Sequence, residues 1–351
     1  MTALTGTTPP VDVLIVTALQ LERHAIRAHL RDVRIEHASG LFADRGSFSA
    51  GTANLNVAVI ETGAGNVDAA VLTSRAEELL RPKVIVMAGV AGGLKDVAIG
   101  DVVASSKVYW LESGKQSGDF QPRPDFAPVS NSLVQVARAV ATDELWRERI
   151  KDPGGSWPPA NRAPAGLVAP VVAGEKVLAD RRPEVARLAR EFYGDALLVD
   201  MEDFGTLRGG RSTERARVFA VRGTSDLVEG KQEADTAGSQ PLAAANAAAF
   251  VFELLAVDAT TSAPVTIDPA ALAELGARLY PQGPEEHGLW ARAGGDESRL
   301  QLSGPGFARW WRAAVLLDQG GGGAAISLRS LVAVMLAEYP NNDALRRLSE
   351  G

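Results

Sequence analysis

At 351 residues the chain exceeds the commonest single-domain size, which predicts a large domain joined to a smaller one. A 46% hydrophobic content supplies packed cores and, with 23% charged residues, excludes a disordered chain. The net charge of -7 and pI near 5.3 argue against a nucleic-acid binder, and zero cysteines exclude disulfides and thiolate metal sites.

Only His24, His29, His37 and His287 are present, so no histidine metal cluster is expected. Met1 to Asp12 is polar and lacks the apolar core of a leader. Apolar runs such as Ala247 to Val257 fall short of the ~20 residues that cross a bilayer. These features predict a soluble, cytoplasmic protein that binds no membrane.

In chain order, Val11 to Thr17 is a near-continuous apolar run, the pattern of a strand buried on both faces of a parallel sheet. Ala18 to Glu22 leads into a helix that reaches about Leu30. Leu55 to Glu61 is a second strand, broken at Thr62-Gly63-Ala64-Gly65-Asn66. A helix follows from Val67 to Leu80, with Val67, Ala70, Val71, Leu79 and Leu80 as its apolar positions. Lys83 to Val90 is a third strand, running into Ala91-Gly92-Gly93-Leu94. Three such units predict a doubly wound α/β domain.

Asp101 to Trp110 reads as a strand, Ser113 to Pro128 as a long loop, Leu133 to Arg149 as a helix and Lys151 to Pro164 as a Pro/Gly-rich loop. Val168 to Leu178 is extended and Glu184 to Phe192 helical. A short strand then delivers Asp200-Met201-Glu202, and after a helix a second strand delivers Arg222-Gly223-Thr224-Ser225-Asp226. A polar loop spans Glu229 to Gln240, and an alanine-rich helix from Pro241 to Val257 closes the domain.

Strand carboxyl ends form the ligand crevice of open α/β sheets, which makes Glu202 and Asp226 candidate site residues. Read singly, each also fits a solvated turn or a helix cap. Glu22 likewise fits a surface acid in a first helical turn. The segment Gly63 to Asp68 lacks the third glycine of the dinucleotide fingerprint, and no GxxxxGK[ST] run exists, so phosphate-loop readings are poor.

Asp-Met-Glu at a strand-to-helix junction, followed some twenty residues on by Arg-Gly-Thr-Ser-Asp, resembles the nucleoside phosphorylase and nucleosidase superfamily, closest to the 5'-methylthioadenosine/S-adenosylhomocysteine nucleosidases. The resemblance covers about Val11 to Leu255 and implies a three-layer doubly wound sheet of the nucleoside phosphorylase type. It implies that Asp226 protonates the leaving purine, Glu202 grips the ribose hydroxyls and Glu22 polarises the attacking water. Cleavage by two carboxyls on opposite faces parallels inverting glycoside hydrolysis. A carboxylate at Glu22, in place of the cation that a phosphorylase sets beside phosphate, marks the hydrolytic branch.

By the same resemblance Ala64, Gly65, Val90, Ala91 and Gly92 let the backbone approach sugar and base. Gly174 to Leu178 meets the purine, with Val177 where the family stacks an aromatic ring and Leu178 beside it. Asp200 stands where the nucleosidases more often have Glu, next to Met201, and Arg222 and Ser225 hold the acid loop. No metal or organic cofactor is implied, and a homo-oligomer of at least two chains is. A phosphate-dependent phosphorylase and a nucleoside sensor without turnover remain the alternatives.

Residues 258–267 have linker composition, and the periodicity changes beyond them. Asp268-Pro269 signals a helix start, and Phe307, Trp310, Trp311 and Ala314 recur at helical spacing, as do Leu328, Leu331, Val332 and Met335. Three or four short helices predict a small all-α bundle over residues 268–351. Leu279-Tyr280-Pro281, Leu302-Ser303-Gly304, Trp310-Trp311 and Leu336 to Asn341 resemble an effector-associated domain, the helical adaptor of bacterial conflict systems. That resemblance implies a protein partner; a structural cap is the plainer alternative.

Overall fold

The continuous apolar runs become the centre of a mixed sheet. The computed structural model describes residues 2–3, 11–51, 53–117, 119–151, 162–175, 189, 191–213, 215–227, 239–262, 267–301, 303–323 and 325–350. Strands β2 (Val13–Thr17), β5 (Ala53–Glu61) and β6 (Val84–Gly93) run parallel, with β2 between the other two. Their period of two feeds two cores. Val13, Ile15, Val57, Val59 and Val86 join one cluster, and Leu14, Val16, Ala58, Ile60 and Met87 the other. Helix α5 (Ser239–Ser262) contributes Phe250, Phe252 and Leu254 to the first. Helices α2 (Asn66–Leu80) and α4 (Asp203–Gly210) contribute Ala76, Leu80 and Leu207 to the second. Helix, sheet and helix make the three layers.

Among the described residues the sheet has 11 strands. From one edge run β1 (Thr2–Ala3), β3 (Arg31–Ala38), β4 (Leu41–Ala50), β5, β2 and β6, then β12 (Leu198–Asp200), β11 (Gly166–Ala173), β7 (Val102–Trp110) and β10 (Asp125–Pro128). Strand β13 (Arg217–Leu227) pairs parallel with β6 and antiparallel with β7. Because β12 also pairs with β6, five strands (β6, β13, β7, β11 and β12) close into a ring. The carboxyl ends of β6 and β13 are thereby drawn together beside the short, antiparallel β12.

Several elements differ from the sequence reading. The expected loop Ser113 to Pro128 contains a hairpin, β8 (Gly114–Ser117) with β9 (Asp119–Pro122), and the edge strand β10, whose exposure explains their polar composition. The expected helix Leu133 to Arg149 is α3 (Asn131–Asp143) followed by a 3-10 turn (Leu145–Arg149), broken where Glu144 turns left-handed at φ 59°. The inner face of α2 is Ala69, Thr73, Ala76 and Leu80, while Val67 and Val71 are 67% and 61% exposed. The linker expected at 258–267 begins inside a helix: α5 continues to Ser262, its threonine hydroxyls bonded back to Ala256 and Val257 carbonyls. At 24 residues α5 is also long and apolar enough to cross a membrane, against the expectation from shorter runs. Seventy-eight per cent of its apolar window is buried within the protein, as in a core helix. Most of the predicted helix Glu184 to Phe192 and of the loop Glu229 to Gln240 lies outside the described residues; of the helix, residues 189, 191 and 192 are described and are helical.

The chain divides into two compact units, Met1–Ser262 and Ala263–Gly351. In the second, Asp268 caps α6 (Pro269–Leu279) by accepting the Ala270 N–H. Helices α7 (Leu289–Arg292), α8 (Gly306–Asp318), α9 (Leu328–Glu338) and α10 (Asp343–Glu350) follow. Leu272, Tyr280, Trp290, Trp310, Leu331, Met335 and Leu345 form its core.

Candidate active site

Strand ends and helix starts converge at one place, around Arg222. On α1 (Gln20–Arg27), Glu22 is only 2% exposed. Its Oε2 accepts the N–H groups of Ala18 and Leu19 at 2.8 and 2.9 Å, which caps the helix it sits on. Its Oε1 accepts Val90 N–H at 2.8 Å, from β6. Burial raises the Glu22 pKa above the ordinary carboxylate range, against the opposing pull of Arg222 and the backbone donors. A surface acid is therefore not what the fold makes of it.

Glu202 follows β12 and is 5% exposed. Gly65, at φ 117°, donates its N–H to Oε1 at 3.1 Å, and Arg222 Nη2 donates to Oε2 at 3.0 Å. Burial raises its pKa too, with Arg222 opposing. Asp200 ends β12: its Oδ1 accepts the N–H groups of Glu202 and Asp203, and its Oδ2 is buried without a hydrogen-bond partner. Burial, then the Asp203 charge, push Asp200 well above the usual carboxylate range.

Arg222 is wholly buried. Its Nε donates to Asp203 Oδ1 at 2.8 Å and its Nη1 to the Val90 carbonyl at 3.2 Å; Glu22 Oε1 lies 3.8 Å from Nη1 and Asp200 Oδ2 3.6 Å from Nε. Burial works against its charge, but the four carboxylates outweigh it and lift its pKa beyond the ordinary arginine range. Sequence reading assigned Arg222 to the acid loop; the side chain turns instead to Glu202, Asp203 and Val90. Ser225 does meet the acid: its hydroxyl lies 2.8 Å from Asp226 Oδ2 and donates to the Ala91 carbonyl at 3.3 Å. The pairing of β13 with β6 slips between Thr224 and Asp226, which sets Asp226 opposite Gly92.

Ala64 is exposed, Gly65, Val90, Gly92 and Met201 are partly exposed, and Ala91 is buried. Val177 and Leu178 lie outside the described residues. Gly89, in the β6 stretch just before Val90, makes room inside the site. A Cβ there would stand 2.3 Å from Glu22 Oε1 and 2.6 Å from Arg222 Nη1, so the missing side chain makes room for these two groups.

Sequence reasoning missed Asp203, a fully buried acid that reads on paper as one more first-turn carboxylate. It also missed Asn66, whose side chain donates to Gly174 O at 3.1 Å and accepts Gly205 N–H at 2.8 Å, tying the start of α2 to β11 and α4. The only signal for either was its position beside a site residue.

Residues 12–256 match the sequence profile of the Phosphorylase superfamily, and residues 268–351 that of Effector-associated domain 1. ATP nucleosidase Cap17 of Escherichia coli is 27% identical over 177 residues, which cover 47% of this chain and 34% of that protein. The chain thus spans about a third of that relative's length. The 5'-methylthioadenosine/S-adenosylhomocysteine nucleosidase of Listeria welshimeri is 26% identical over 211 residues, 58% of this chain and 82% of the relative. Among solved structures, that nucleosidase from Neisseria meningitidis, in complex with methylthio-immucillin-A, superposes with a TM-score of 0.54 at 20% identity, covering 70% of this chain and 98% of its own. Futalosine hydrolase of Helicobacter pylori gives 0.55 at 18%, covering 70% and 97%. Its matched profile, its three-layer sheet and the acids at its strand ends together place this chain in the Phosphorylase superfamily, with an effector-associated domain at its carboxyl end.

Proposed function

We propose that the first unit hydrolyses the N-glycosidic bond of a purine nucleoside or nucleotide, with adenine as the leaving base. The observation that carries this reading is Glu22: a buried carboxylate held by three backbone N–H groups, where phosphate would meet repulsion. In the proposed step Glu22 takes a proton from water, whose oxygen bonds to the anomeric carbon. The C–N bond breaks towards the base, and Asp226 donates the proton that the departing purine accepts. Glu202, with one donor already fixed on each oxygen, keeps lone pairs for the ribose hydroxyls. Adenosine, methylthioadenosine, AMP and ATP incubated with the protein should yield free adenine from at least one of them in phosphate-free buffer. Dependence on phosphate, with a sugar 1-phosphate as product, would move the protein to the phosphorolytic branch.

For residues 268–351 we propose a protein-interaction module serving the enzyme unit in a bacterial defence setting. Trp290 and Trp310 are wholly buried, whereas Phe307 and Trp311, one helical turn apart on α8, are 50% and 43% exposed. Trp311 borders a groove lined by Arg299, Leu300, Arg312 and Leu316. Exposed aromatic anchors carry much of the energy at interfaces. Trp311→Ala should abolish capture of a partner by the full chain while leaving base release intact; unchanged capture would overturn this use of α8.

A further inference from the structure

Asp203 has no part in the chemistry proposed above, yet it is the carboxylate nearest the Arg222 guanidinium. It accepts from Nε at 2.8 Å, its second oxygen receives the Ser105 hydroxyl at 3.4 Å, and its own N–H is spent on Asp200 Oδ1. A guanidinium is a rigid planar fork, so a fixed Nε together with the side-chain stem dictates where both Nη groups point. Those groups face two carboxylates on separate elements: Glu202 at 3.0 Å, in the turn between β12 and α4, and Glu22 at 3.8 Å, on α1. Without the anchor, Arg222 would face both carboxylates with one negative charge fewer beside it, and its pull on each would strengthen.

We infer that Asp203 is a positioning residue, holding Arg222 by Nε so that a single cation is shared between the water-polarising Glu22 and the ribose-gripping Glu202. This rests on the hydrolase reading of the site. The charged groups that face Glu22 are Arg222 from β13 and Glu202 from the turn, alongside the N–H groups of Ala18, Leu19 and Val90. Arg222 is in turn faced by Asp200, Glu202, Asp203 and Glu22. Each negative charge on Arg222 offsets part of its field. Asp203 therefore keeps Glu22 more basic than an uncompensated arginine would allow, and a stronger base takes the water proton more readily.

The test is Asp203→Asn in the full chain, read by the carboxyl carbon titration of Glu22 in 13C NMR, the resonance being identified by its loss in Glu22→Gln. The Glu22 titration should move down by roughly one pH unit. With methylthioadenosine and ATP as probes, kcat should fall roughly ten- to a hundredfold while KM holds. Asp203→Glu restores the charge and should leave the Glu22 titration in place. If the Asn variant does not fold, Asp203→Glu carries the test: lowered kcat with an unmoved Glu22 supports the inference, and wild-type kcat overturns it. An unshifted Glu22 in a folded, active Asn variant strikes the coupling alone. A shifted Glu22 in a protein that releases no base from either probe strikes the hydrolase reading and leaves the coupling standing.

Discussion

A carboxyl group that gives up its proton only as the glycosidic bond breaks stabilises the transition state far more than the bound substrate. If Asp226 is the acid of the proposed reaction, Asp226→Asn should therefore lower kcat by roughly a hundredfold or more while KM changes little; turnover near wild type would remove Asp226 from the acid role. His29 invites a second test, on stability. Its ring stacks on Phe252 at 4.5 Å, its Nε2 is buried without a partner, and burial, then the Lys151 and Arg149 charges, lower its pKa to about 4. The folded value lies below the unfolded one, so the unfolded chain binds more protons in the window between 6.5 and about 4. Stability is thus complete above that window and is lost as the pH falls through it, by about 2 kcal/mol at pH 5. His29→Leu should flatten the fall of melting temperature between pH 7.5 and 5; an unchanged slope would show that His29 does not drive it. The contrast with the acids is one of legibility. Glu22, Glu202 and Asp226 were visible because each ends or follows a strand that composition alone marks out, whereas His29 and Asp203 acquire their environment only from distant chain.

Element by element, the parallel strands were readable because burial on both faces demands unbroken apolar runs. Hairpin β3 and β4 escaped because half of its surface is solvated, and the inner face of α2 was misjudged because small residues form it. The reason for those small residues is the packing of α4. A Cβ at Gly205 would stand 2.0 Å from the Asn66 carbonyl oxygen, and one at Gly209 2.3 Å from that of Ala70, so the two helices touch backbone to backbone. Gly205→Ala should destabilise the protein by about 2 to 3 kcal/mol in denaturant titration. It should also depress base release, because Glu202 and Asp203 sit at the start of the displaced helix. Gly210→Ala meets only the Val218 and Ile85 side chains, at 3.0 and 3.1 Å, and should cost less. Equal losses for the two would mean that α4 shifts freely and that its glycines do not set its distance from α2.

At the scale of the whole molecule, the issue is where one cooperative unit ends. Among the described residues, the core of the second unit is built from side chains of Ile267 onward, among them Trp290 and Trp310, and the indole N–H of Trp310 is satisfied by the Tyr280 carbonyl of the same unit. A unit with a core of its own can fold alone, and residues 263–351 expressed separately should be helical with a cooperative melt. The first unit is less forgiving of its boundary. Asp258, just past the composition change that suggested a linker, receives both Nη groups of Arg217 at 2.7 Å and is 6% exposed. A fragment ending at Val257 leaves Arg217 at the start of β13 without its bidentate partner, on the strand that carries Arg222 and Asp226. Residues 1–262 should keep the stability and base release of the full chain, and residues 1–257 should be weaker by at least about 1 kcal/mol. Arg217→Met in the 1–262 fragment should reproduce part of that loss, since it breaks the same pair without shortening the helix. Were 1–257 as stable as 1–262, the last turn of α5 would be a dispensable tail; were 263–351 unfolded alone, the helical unit would be a cap that needs the first unit to fold, and its proposed use as an independent adaptor would fall with it.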